Sequence, residues 1–304
     1  MTSSLLSRNV QYQIDSSKRY FYPRYKNPPV YSLLTNEKVS VSDFDLIVEM
    51  AYYFQYIAEF PFTYNKRFVG LYTDSYPHEG PSFDYKSNQD LKKLSREEFY
   101  NIYLKPYDGI IVGNTNLYED YAPYTSKMAV ANGIYLQEDF EENLNVGKNK
   151  HLTIAWTGNP DRPMKGFREF IEPAIKAVQD TGREVILKTK FSGDYKELLS
   201  FYKDVDLVLI ASFADTGPSL FAEASLSSVP SISTNIGFPK MIIKHNENGM
   251  IVNRNVDDMK NAIIELYDNR EKLVRFSKRI KTDYLEILSN QKSINNLISY
   301  INKI

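Results

Sequence analysis

In the second half of the chain, short apolar runs alternate with segments whose apolar residues recur every three or four positions. Leu152–Trp156 reads as a buried strand, stopped by the turn residues Thr157-Gly158-Asn159-Pro160. From about Lys165, Phe167, Phe170, Ile171, Ala174, Ile175 and Val178 share one helical face, with a kink or break expected at Pro173. Glu184–Lys188 is the next strand, Tyr195–Tyr202 a short helix, and Asp206–Ala211 a strand apolar enough to be covered on both faces. Pro218 to about Ser227 reads as a helix, Ser231–Ser233 and Met250–Val252 as strands. Val256, Met259, Ile263 and Leu266 mark a further helix. Strands alternating with helices imply a parallel sheet with helices on both sides.

The first half follows the same rhythm less regularly. Asp45–Val48, Phe68–Tyr72, Asp108–Val112 and Lys127–Ala131 read as strands, and residues 49–58 and 91–104 as helices. The polar stretch 141–150 (EENLNVGKNK) is the expected boundary between two units, 1–145 and 146–285. In the last segment, 286–304, Ile294, Leu297, Ile298 and Ile301 lie at helical spacing.

Composition narrows the classes. The 304 residues carry 37 basic and 38 acidic side chains, a net charge of −1, which excludes a polycation coating nucleic acid. A local exception is 8–31. There Arg8, Lys18, Arg19, Arg24 and Lys26 face only Asp15 and are interleaved with five tyrosines. This segment is a candidate nucleic-acid contact or a solvated arm. Cysteine is absent, which removes thiolate metal sites and cysteine nucleophiles, and the three histidines are far apart. No run reaches the roughly 18 apolar residues of a membrane span. The N-terminal apolar stretch is too short for a signal peptide. A cytoplasmic location is the expectation.

Ligands of open parallel sheets bind beyond the carboxyl ends of the strands. Two loops qualify. In Thr157–Gly166, Gly158 permits close backbone approach, and Arg162 and Lys165 bring positive charge to a helix start, as an anion such as a diphosphate would need. The alternative is an ordinary turn with a solvated lysine. In Ala214–Glu223, Gly217 and Pro218 open a helix, with amides of Gly217 and Ser219 exposed and Asp215 just before the turn. Asp215 and Glu223 can face one cleft and bind hydroxyls; otherwise they are a helix cap and an exposed helix acid.

These residues carry a resemblance. Asp215-x7-Glu223, Ala224, Pro230, Gly237-Phe238-Pro239 and Asn248-Gly249-Met250-Ile251-Val252 resemble, in order, the E-x7-E, small-Gly-x-Pro, Gly-Gly-x-Pro-Glu and N-G-hydrophobic segments of the family-four nucleotide-sugar glycosyltransferases (glycosyl transferases group 1). Gly158 with Lys165-Gly166 resembles their donor-phosphate loop. Ala131-Asn132-Gly133-Ile134 through Phe140 resembles the segment closing their first domain. The likeness spans about residues 105–280. Three positions depart: Asp215 replaces the first glutamate, Asn159 stands where the family has an arginine, and Lys240 replaces the glutamate after the Gly-x-Pro turn. The short stretch from Lys188 to Asp206 leaves one strand of the second sheet missing or reduced.

The resemblance implies an α/β GT-B fold: two facing Rossmann-like domains with parallel sheets, an interdomain cleft, and a last helix crossing back to the first domain. It implies a retaining, metal-independent transferase with no cofactor beyond a nucleoside-diphosphate sugar as co-substrate. By resemblance Lys165 holds the diphosphate and Glu223 the ribose, with Gly158 and Arg162 on the donor. Asp215, with the loop at Gly217, Pro218, Ser219 and Leu220, holds the transferred sugar. On the acceptor side, Asp74 and His78 follow a strand where the family carries an H-D-x-x-P stretch. The acceptor stays open among glycan, lipid, protein and modified DNA. A GT-B-like binding or partner subunit, and a transferase acting on modified DNA, are the alternatives.

Overall fold

The computed structural model describes residues 5–7, 30–32, 45–51, 66–71, 94–132 and 137–304. A small parallel pair, β1 (Leu5–Ser7) and β2 (Val30–Ser32), forms a two-stranded sheet among the described residues. Among the described residues four parallel strands form the first large sheet, in the order β3 (Ile47–Ala51), β4 (Arg67–Leu71), β5 (Gly109–Val112), β6 (Met128–Val130). β3 runs on to Ala51, so Glu49–Ala51 are strand and not the start of a helix. α1 (Arg96–Phe99), opened by a Ser95–Glu98 capping box, continues as a π-helical turn over Tyr100–Leu104. α2 (Thr115–Tyr121) is a helix the apolar pattern missed. It is short, and its inward face is little more than Leu117 and Tyr121.

Both faces of this sheet are covered because alternate side chains of β4 and β5 point opposite ways. Val69, Leu71, Ile110 and Val112 pack with Phe99, Leu104, Leu117 and Tyr121. Phe68 and Ile111 form the other face with Ala131, and their cover comes from the far end of the chain: Leu297, Tyr300 and Ile301 of α9 (Asn290–Ile301). Ile294 and Ile298 do not join this contact; they are 37% and 41% exposed. Helical spacing alone misassigns them because the buried stripe of α9 is centred on Tyr300. The Tyr300 hydroxyl donates to the Lys127 carbonyl at 2.5 Å and accepts from the Ile110 amide at 3.1 Å. Gly109 makes room for it, since a Cβ there would lie 2.7 Å from that oxygen. Tyr300→Phe keeps the ring contact with Phe68 and loses both hydrogen bonds. It is expected to cost about 1 kcal/mol in denaturant unfolding, a typical net value for such bonds.

The second sheet has five parallel strands, ordered β11 (Met250–Ile251), β10 (Ser231–Ser233), β9 (Leu207–Ile210), β7 (Leu152–Thr157), β8 (Val185–Lys190). Between β8 and β9 lies only α4 (Tyr195–Phe201) with a 3-10 turn over Tyr202–Asp204, so β8 is an edge strand. α5 (Ser219–Leu226) is buried from Leu220 through Leu226, as expected of a helix apolar on nearly all sides. It packs between the sheet and α8 (Arg270–Leu288), and Phe221 lies against Tyr284. α6 (Gly237–Ile242) is a helix where a turn was expected, and α7 (Val256–Asp268) matches the apolar pattern.

Pro173 breaks nothing. α3 is Glu172–Gln179, and Pro173 sits in its first turn, where a missing N–H costs no helical hydrogen bond. The irregularity lies upstream, in a π-helical turn over Phe167–Ile171. The connector 141–150 is fastened to the second sheet. Phe140 and Val146 are buried in that core. Asn143 donates to the carbonyls of Tyr202 and Val205, and the Gly147 amide to Asp206. The chain crosses between the units again at Ser289, where the Gln137 side chain bonds both Leu288 O and Asn290 N.

Candidate active site

Thr157 ends β7, and the loop that follows turns on two glycines. Gly158 has φ +145° and lies against Trp156, while Gly166 has φ +65°. A Cβ on Gly166 would sit 2.6 Å from the Ala211 carbonyl, so only glycine lets this loop approach the end of β9. The Phe213 amide donates to Met164 O across the same gap. Lys165, at the end of a 3-10 turn (Pro163–Lys165), therefore reaches the loop after β9 and forms an ion pair with Asp215. Both side chains are mostly enclosed, 22% and 15% exposed. Lys165 is thus not a solvated turn lysine, and Asp215 does not cap α5, whose N-cap is Pro218 without a side-chain bond.

The Asp215 loop is itself clamped. A Cβ on Gly217 would meet the Phe238 ring at 2.2 Å, and one on Gly237 the carbonyls of Asp215 and Thr216 at 2.2 Å. Pro218 and Leu220 are buried, and Ser219 is exposed. From the first unit, buried Asn114 caps α2 with its Oδ1 and donates from Nδ2 to Thr216 O at 3.3 Å. Lys240 bonds Asn116 and Glu119 of α2. The residue standing in for the family's glutamate therefore turns to the opposite wall of the cleft.

Glu223 is not an exposed helix acid. It is 2% exposed, and its Oε2 accepts from the Tyr202 hydroxyl at 2.7 Å. Burial first, and then the Glu223 charge, push the Tyr202 phenol well above its usual range, so it remains a donor. The neighbouring Thr157 side chain opposes that shift.

The remaining predicted residues divide. Arg162 is exposed, and its guanidinium points to the Met164 sulfur at 3.0 Å. Asp74 and His78 lie outside the described residues, as does most of 8–31. Asn248 of the N-G segment is structural: it bonds Ile242 O, Lys244 N and Asp283. Among the described residues no three His, Asp or Glu side chains group as a metal site would require.

Sequence reading missed Arg254. Its Nε donates to Ala211 O at 2.8 Å and its Nη2 to Pro163 O at 3.0 Å, while the guanidinium lies over the Phe170 ring. It ties both loops together from beyond β11. The only sequence signal was a lone arginine before a helix cap. Arg254→Ala is expected to cost about 2 kcal/mol in unfolding experiments, from two charge-assisted bonds. Arg254→Lys should restore little, because an ammonium lacks the fork that spans two carbonyls.

The architecture is the GT-B fold: two facing Rossmann-like units with parallel sheets and a cleft between them. Residues 176–283, a little over a third of the chain, match the family described as Glycosyl transferases group 1, as the sequence resemblance implied. Solved structures agree in fold. Sucrose-phosphate synthase from Thermosynechococcus elongatus matches with TM-score 0.64 and 12% identity, over 86% of this chain and 73% of that one. A glycosyltransferase from Rickettsia africae matches with TM-score 0.61 and 14% identity, over 90% and 85%. A TarM variant from S. aureus, in complex with Fondaparinux, alpha-GlcNAc-glycerol and UDP, matches with TM-score 0.56 and 17% identity, over 78% and 51%. The chain thus spans about half the length of the TarM structures it matches. No curated protein matches the chain in sequence. Among the described residues no helix is long and apolar enough to cross a membrane.

Proposed function

We propose that the protein transfers a sugar from a nucleoside-diphosphate sugar to an acceptor hydroxyl, retaining the anomeric configuration and using no metal. The observation that carries this is the enclosed Lys165–Asp215 pair, held between two loops at the carboxyl ends of β7 and β9. Such a lysine is a fixed positive charge for a diphosphate, and Asp215 beside it is an acceptor for sugar hydroxyls. UDP in the TarM complex makes a uridine nucleotide the first donor to try.

In the proposed reaction the bond from the anomeric carbon to the diphosphate oxygen breaks, and the acceptor oxygen bonds that carbon on the same face. The acceptor proton leaves with the diphosphate or to solvent. Positive charge builds on the sugar while negative charge builds on the departing oxygen. Lys165 stabilises the latter electrostatically, and the amides at Ser219 and Leu220 lie beside the sugar. Asp74 and His78, following β4 in sequence, are the proposed acceptor-side groups. Glycan, lipid, protein and modified-DNA acceptors are separated by assaying transfer to each class.

A thermal-shift panel of nucleoside diphosphates and their sugars tests the donor reading, because a bound ligand raises apparent stability by mass action. One diphosphate should stand out, and its sugar should be hydrolysed or transferred by the isolated protein. Binding without any turnover would instead favour a partner subunit, a reading to which Asp215 in place of glutamate lends itself. Turnover should also survive EDTA. Loss on chelation, restored by Mg²⁺ or Mn²⁺, would reject the metal-independent mechanism.

A further inference from the structure

Glu223 needs an explanation of its own, because a carboxylate 2% exposed is costly unless it is hydrogen-bonded. One of its partners is a phenol. The Tyr202 hydroxyl donates to Oε2 at 2.7 Å, and the Thr157 side chain lies beside that hydroxyl. Tyr202 lies in the 3-10 turn that follows α4, is 1% exposed, and is wedged against Phe201 edge to face at 5.2 Å. Its backbone is held as well, since its carbonyl accepts from buried Asn143 at 2.9 Å. The phenol is therefore locked in place by packing and by hydrogen bonds at both ends. A neutral donor orients the carboxylate without cancelling its charge, and a charged acceptor bonds hydroxyls more strongly than a neutral one.

We propose that Tyr202, with Thr157 beside it, is the positioning residue that presets the Glu223 carboxylate to accept the ribose hydroxyls of the donor nucleotide. It thereby sets the preference for ribonucleotides. The inference rests on the donor site proposed above and adds to it a residue that touches no substrate. A site built to hydrogen-bond a hydroxyl rejects an analogue lacking it, because its own polar group is left unpaired.

The experiment compares UDP with 2′,3′-dideoxy-UDP by calorimetry, or the corresponding pair for whichever base the panel selects. Wild type should prefer the ribonucleotide by about tenfold or more. Tyr202→Phe, which keeps the ring, should reduce that preference to about threefold or less by weakening the ribonucleotide while leaving the dideoxy form unchanged. Thr157→Val should lie between, and Thr157→Ser should restore the wild-type ratio. A purely structural role would weaken both nucleotides alike or lower the melting temperature with the ratio intact, and either result overturns the proposal. If Tyr202→Phe does not fold, the Thr157→Val and Thr157→Ser pair decides by the same ratio. Wild type binding both nucleotides equally would also overturn it, while leaving Lys165 as the diphosphate site. If wild type binds no nucleoside diphosphate at all, the donor reading falls and this inference falls with it.

Discussion

Lys165→Ala should lower affinity for the donor diphosphate by roughly 1.5–3 kcal/mol, the usual range for a hydrogen bond to a charged group. Calorimetry with the diphosphate identified by the panel measures it. The expectation follows from where the side chain is held. It sits at the tip of a loop that Gly158 and Gly166 shape, and it is enclosed against Asp215. An incoming diphosphate competes with that carboxylate for the ammonium, so the measured loss is a net value. Asp215→Asn separates the two contributions. It removes the competing charge, so diphosphate affinity should hold or rise while transfer falls. Unchanged affinity in Lys165→Ala would remove the lysine from the donor site.

Gly237→Ala should be the most damaging single methyl group. The added carbon would lie 2.2 Å from the carbonyls of Asp215 and Thr216, in a backbone with φ +34°. Those carbonyls belong to a loop already pinned by Asn114 and by the Phe238 ring on Gly217. Strain and overpacking each cost about 1–3 kcal/mol, so a loss of roughly 2–5 kcal/mol is expected in denaturant unfolding. Because relief requires moving Asp215, transfer should fall even at temperatures where the variant stays folded. Gly182→Ala is the control. That glycine also has positive φ, but nothing lies within 4 Å of its added carbon. It should show the backbone penalty alone and leave transfer unaltered.

Much of the second unit was legible in order along the chain. Its central strands β7 and β9 are short apolar runs buried on both faces, and its helices other than α5 carry one apolar stripe. Periods of two and of 3.6 are local properties that need no knowledge of the rest of the molecule. The two glycine-bearing loops were legible for the same reason: a glycine after a buried strand and a charge before a helix are local signals. The sequence by itself also determined that β4 and β5 must be covered on both faces, because their residues are apolar without alternation.

What covered them was decided by the tertiary structure. The second face of the first sheet is closed by Leu297, Tyr300 and Ile301, nearly two hundred residues beyond β5. No periodicity reveals which distant stripe will dock, so Ile294 and Ile298 could not be told from their neighbours. The same holds inside the site. That Lys165 meets Asp215, that Tyr202 meets Glu223 and that Arg254 bonds Pro163 and Ala211 are contacts across 50, 21, and 91 and 43 residues. Each depends on the strand order β10-β9-β7, which places β9 between β7 and β10 and brings their carboxyl ends together. Side-chain identity states what a residue can bond. Only the packing of the sheet, which juxtaposes loops remote in sequence, settles what it does bond.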